Sequence, residues 1–169
     1  MVFAIAYLAM QLNNLIKKEH IILGLRSSTV SGCLGEILLH LEVVGAINRQ
    51  SEYLIELIER EENSSTVLYP GIAFPHVRSS SIISPVIAIG RSFKRVDFKS
   101  VSGEKAEWIF LILLPKEGNY LWVFSELLEC LSSPYTINKL KQCNTAAEIK
   151  AVLNTDVLLS GETKVALTR

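Results

Sequence analysis

The sequence predicts one α/β domain, with helices laid on the faces of a single sheet. Three observations carry this. Apolar residues recur at helical spacing before residue 61 and again after residue 120. All five prolines fall between residues 70 and 134, among runs of β-branched and large apolar residues. Within that stretch Trp108–Leu114 is apolar at every position, as a strand covered on both faces requires.

The elements follow in order. From Met10 the stretch QLNNLIKKEHIIL has the texture of an ordinary domain beginning. Val30, Cys33, Leu34, Ile37, Leu38, Leu41 and Val44 fall on one helical face. Ser27, Ser28 and Thr29 offer N-caps for that helix, and Gly45 offers its stop. A second helix is predicted over Glu52–Glu61, burying Tyr53, Leu54, Leu57 and Ile58. Gly71–Phe74, Val86–Ser92 and Glu107–Leu114 read as strands, with a shorter piece at Val96–Phe98. Tyr120, Leu121, Phe124, Leu127, Leu128 and Leu131 give another helical stripe, ended by Ser133-Pro134. A last helix opens on the capping box Thr145-Ala-Ala-Glu148 and carries Ile149, Val152 and Leu153. Residues 1–9 read as an extension or a misassigned start, residues 10–154 as the domain, and residues 155–169 as a weakly ordered tail.

Composition narrows the function. The chain has 169 residues, 17 basic and 17 acidic, so its formal net charge is zero. That argues against a broad electrostatic grip on nucleic acid or an anionic membrane. The apolar opening of ten residues is too short to cross a bilayer as a helix and lacks a basic flank, so no stable membrane insertion is expected. Three scattered cysteines form neither a disulfide framework nor a metal knuckle, which suits a cytoplasmic protein. His20, His40 and His76 lie far apart with no ligand-spaced partners, and no phosphate-binding glycine loop is present. No metal and no cofactor are expected.

The histidines separate by context. His20 follows Lys18-Glu19, where a surface place is the default, and His40 flanks the first helix as a boundary residue. His76 closes Gly71-Ile72-Ala73-Phe74-Pro75-His76. Pro75 fixes its own φ and holds Phe74 extended, so the backbone leading into His76 is stiff. Composition alone favours an exposed turn histidine. Upstream, however, lie Arg60, Ser65 and Thr66. An imidazole near a guanidinium fork and hydroxyl donors is what a phosphoryl group needs, and phosphoryl transfer is mostly positioning and charge stabilisation.

These motifs resemble the IIA domain of the bacterial phosphotransferase system, type 2, in the fructose–mannitol class and its nitrogen-regulatory branch. The resemblance rests on Arg60-Glu61, Ser65-Thr66, Gly71–His76, Ile87–Gly90, Val96-Asp97-Phe98 and Ile109–Pro115, in that order, and spans about residues 10–153. It implies a mixed parallel/antiparallel sheet flanked by helices on both faces. It implies that an HPr-type phosphocarrier phosphorylates His76, that Arg60 binds the phosphate, and that Ser65, Thr66 and Tyr120 support the site. The phosphate then passes to a IIB domain or acts as a state signal for regulatory partners. Without an attached IIB, IIC or carrier domain in these residues, a regulatory, nitrogen-type role is expected, and a phosphohistidine intermediate rather than a free-standing enzyme.

Two departures stand out. Val77 replaces a glycine common after the histidine, and would narrow access to the imidazole or alter the local φ. Tyr120-Leu121 stands where many members have His-Leu; a tyrosine donates a hydrogen bond but carries no positive charge near neutrality. These departures motivate an alternative: a regulatory protein-binding module of the same fold that has lost efficient phosphotransfer. A hydrolase using His76 as base finds no nucleophile or acid partner.

Overall fold

The computed structural model describes residues 12–154. Its backbone contacts divide the chain into two units, one of residues 19–117 and one of residues 1–18 with 118–169. The proposed extension 1–9 and the tail 155–169 lie outside the described residues.

The unit of residues 19–117 is built on the sheet. Its strands are β1 (Ile16–Leu23, which begins just before the unit), β2 (Val67–Tyr69), β3 (Ile72–Ala73), β4 (His76–Ser79), β5 (Val86–Val96) and β6 (Ala106–Pro115). The order is β1-β5-β6-β3-β2, with β4 also on β6. β5 runs antiparallel to β6 and β2 antiparallel to β3, while β3 and β4 are parallel to β6. The sheet is therefore mixed. β6 is the all-apolar run of the sequence; it pairs on both edges, and every side chain from Trp108 to Leu114 is buried, which is why no polar residue interrupts it.

Two helices, α1 (Val30–Val43) and α2 (Gln50–Asn63), pack in this unit. Thr29 caps α1, its hydroxyl accepting from the Gly32 N–H at 3.1 Å. Gly45, at φ 72°, turns the chain out of α1 in the left-handed conformation that favours glycine. The middle of the predicted stripe is buried: Cys33, Leu34, Ile37, Leu38 and Leu41 join Tyr53 and Leu57 of α2 and Ala88, Ile109, Leu111 and Leu113 of the sheet, whereas Val44 lies past the helix and is exposed. Gly90 lets α1 approach, because a Cβ there would meet the Ile37 side chain at 2.8 Å. On the other face of the strands, Ile72, Phe74, Ile87, Ile89, Phe110 and Ile112 are buried as well.

The other unit carries α3 (Leu121–Ser132), α4 (Pro134–Gln142) and a helical segment over residues 146–154. The capping box is formed reciprocally. The Glu148 carboxylate accepts from the Thr145 N–H at 3.1 Å, and the Thr145 hydroxyl accepts from the Glu148 N–H at 3.2 Å.

Three sequence readings are corrected. Ser133-Pro134 ends one helix but also opens α4, with Pro134 in its first turn, where a missing N–H costs nothing. His20 is buried at 4% exposure on β1, its Nδ1 3.2 Å from the Ile87 carbonyl oxygen. Its charged neighbours Lys17, Lys18 and Glu19 are exposed, and β1 lies at the sheet edge, where such charges belong. Val96 is not a separate strand but the end of β5, which runs from Val86 with an irregularity in its pairing to β6 between Arg91 and Val96.

Candidate functional site

The stretch around His76 is shaped by one proline. β3 and β4 lie in succession along the same edge of β6: Ile72 faces Trp108, Ala73 faces Ile109, and after a gap His76 faces Ile112. The gap is Phe74-Pro75. Pro75 has no N–H to give, but its carbonyl accepts from the Ile112 N–H at 2.9 Å, so the parallel ladder resumes at once. His76 is thus the first residue of a new strand rather than the last of the old one. It is half-buried, on the sheet face of Ile112.

The imidazole is oriented by backbone. Its Nδ1 lies 2.9 Å from the Phe74 carbonyl oxygen. A carbonyl only accepts, so Nδ1 carries the proton and a neutral ring presents its lone pair at Nε2. Phe74 is held in turn: its ring stacks on Phe110 at a centroid distance of 5.6 Å, and its N–H donates to the Thr66 carbonyl at 3.0 Å.

Thr66 leads back to α2. It is buried, and the Glu61 carboxylate accepts both its N–H and its hydroxyl, each at 2.7 Å. One residue earlier on the helix, Arg60 is half-buried and donates from Nη1 to the Ser64 carbonyl at 3.0 Å. That bond engages one of a guanidinium's five N–H donors. The Ser65 hydroxyl accepts from the Val67 N–H at 3.4 Å, which keeps its own proton for another partner. Arg60, Ser65, Thr66 and His76 are therefore linked through one connected segment of the 19–117 unit. Thr66 differs from the expectation of a phosphate donor, since both its donors go to Glu61. Glu61 is the residue that sequence reasoning passed over, although the Arg60-Glu61 pair was part of the motif.

Tyr120 belongs to the other unit. It is the N-cap residue of α3 and half-buried, with its ring close enough to Gly118 that a Cβ there would meet it at 2.9 Å. Val77 is not beside the imidazole. It faces Leu113, is 9% exposed, and packs in the core with α1 and α2, on the opposite face from His76. Nor does it take a positive φ. The valine side chain therefore lies away from the strand face that carries the imidazole. Cys33 is no nucleophile: burial pushes its thiol up to about 11, and the Glu36 charge adds to the effect. No helix among the described residues is long and apolar enough to cross a membrane.

The arrangement offers an imidazole oriented through Nδ1 and, at the end of α2 in the same unit, a guanidinium bonded to the loop that follows. The family profile described as phosphoenolpyruvate-dependent sugar phosphotransferase system, EIIA 2, matches residues 14–156. A fructose-specific EIIA component of Haloferax volcanii is 30% identical over 121 residues, covering 70% of this chain and 79% of that protein. A fructose-specific EIIABC component of Bacillus subtilis is 34% identical over 110 residues, 65% of this chain, but the match spans only 17% of that longer protein. In structure, nitrogen regulatory protein IIA-Ntr of Neisseria meningitidis superposes with a TM-score of 0.76 at 27% identity, over 85% of this chain and 99% of that one. The chain belongs to the type-2 EIIA family of the phosphoenolpyruvate-dependent sugar phosphotransferase system.

Proposed function

We propose that this chain is a cytoplasmic phosphoryl carrier that accepts its phosphoryl group on His76 from an HPr-type phosphocarrier protein. The observation that carries this is the Nδ1 contact with the Phe74 carbonyl at 2.9 Å. It leaves Nε2 as the nitrogen able to attack phosphorus. In the transfer the donor's P–N bond breaks as the new bond to Nε2 forms, and the donor imidazole leaves. Positive charge builds on the accepting ring while this happens, and the Nδ1–H···O=C bond strengthens in response. Arg60 supplies the fork for the phosphoryl oxygens, with Ser65 as a hydroxyl donor. Thr66 acts by holding the loop.

The phosphate then moves to a IIB domain or stays as a signal that regulatory partners read. Similarity to both the fructose-specific component and the nitrogen regulatory structure supports each fate. The buried position of Val77 removes one ground for a module that has lost transfer.

The test is incubation with phosphoenolpyruvate, enzyme I and the carrier protein of the same organism. Wild type should gain one acid-labile phosphate, mapped by mass spectrometry to His76, and His76→Ala should gain none. Equal labelling of the two proteins would end the proposal.

A further inference from the structure

We propose that Glu61 is a positioning residue for His76, a role that rests on the phosphoryl-carrier reading above. A carboxylate taken out of water must have its oxygens satisfied, and Glu61 is only 9% exposed. Both of its oxygens are used on one residue, Thr66, in two charge-assisted bonds of 2.7 Å. A single apolar residue would fill the same place on α2 without that cost, so the carboxylate's effect lies in what it holds. It holds Thr66, whose carbonyl receives the Phe74 N–H at 3.0 Å. The Phe74 carbonyl in turn fixes the imidazole through Nδ1 at 2.9 Å. Three bonded steps thus run from the end of α2 to the nitrogen opposite the reacting one. The same helical turn carries Arg60, whose bond to Ser64 lies inside the loop that Glu61 pins. Glu61 therefore sets the angle of the imidazole and the place of the guanidinium together.

The experiment uses the full chain, ¹⁵N-labelled at histidine, and reads two things. One is the tautomer of His76 from its ring nitrogen shifts, at a pH where the ring is neutral. The other is the rate of phosphorylation by the carrier protein as a function of carrier concentration. In wild type the Nδ1–H tautomer should dominate. In Glu61→Ala the ring signals should move toward a mixture of tautomers. Transfer at saturating carrier should slow by about tenfold or more at unchanged KM, as expected when a reacting atom loses its set geometry. Glu61→Gln keeps an acceptor for the Thr66 N–H and should recover to within about threefold of wild type. Lowered thermal stability in Glu61→Ala with unchanged tautomer and unchanged rate would overturn the proposal. Should that variant not fold, Thr66→Val removes only the hydroxyl bond. It should shift the tautomer in the same direction, and an unmoved tautomer there overturns the proposal too. If wild type takes no phosphate on His76, the carrier reading fails by itself, while the tautomer measurement still decides whether Glu61 orients the ring.

Discussion

Val77 and His76 are neighbours in sequence, yet the strand sends their side chains to opposite faces. This alternation decides what a substitution there does. Val77 packs with residues of α1 and α2 in the core, so its methyl groups bear on stability and not on access to the imidazole. Val77→Gly should therefore destabilise the fold by about 2–3 kcal/mol, through lost packing and added backbone freedom. It should leave the initial rate of His76 phosphorylation unchanged. Urea unfolding and a labelling time course read the two effects separately, and faster labelling would show that the valine shields the ring after all. Glu61 gives the opposite lesson at the same scale. A glutamate at the polar end of a helix reads from sequence as a solvated charge, and only the fold reveals it as buried and bonded to Thr66.

At the scale of elements, what was legible followed from strong periodicity and local capping. The stripe from Val30 to Leu41, its Thr29 cap and its Gly45 stop are all in the sequence, and so is the box at Thr145 and Glu148. What escaped was short or doubly signalled. β2 and β4 have three and four residues, too few for a clear period to show. β1 hides behind the exposed charges of an edge strand, and Pro134 reads as a stop when it is a stop and a start. The capping box gives a prediction at this scale. Thr145→Ala should cost about 1 kcal/mol, the usual loss for such a cap. Backbone N–H groups, that of Asn144 foremost and that of Thr145 next, hold the Glu148 carboxyl below its ordinary value of 4.5. The charged form is the one the fold favours, so its contribution is full above that value and fades as pH falls through the lowered one. The stability gap between wild type and Glu148→Gln, measured by urea unfolding, should close on acidification from pH 7 to pH 3. A gap independent of pH would show that the carboxylate's charge does not matter to the cap.

For the molecule as a whole, the candidate site's residues can be named from the sequence, but the bonds that hold them cannot. The residues Arg60, Ser65, Thr66 and His76 announce themselves by type and order, because phosphoryl chemistry asks for those groups. Which nitrogen of His76 faces the backbone could not be read from sequence, since it depends on a carbonyl two residues away. Nor could the division of Thr66 from the donors, which depends on a helix end packed against a loop. One property of the whole chain now becomes a measurement. Its 17 basic and 17 acidic residues cancel, and its isoelectric point is about 6.8. Near neutrality the protein therefore carries almost no net charge, and a single phosphoryl group adds about −1.5 to −2. On a native gel or in isoelectric focusing near pH 7, the phosphorylated chain should run as a separate, more anodic band. His76→Ala treated with the same phosphorylating mixture should stay at the unmodified position, and brief acid treatment of wild type should restore that position. An anodic band that persists in His76→Ala would place the phosphoryl group on another residue, and a band at twice the displacement would reveal a second acceptor.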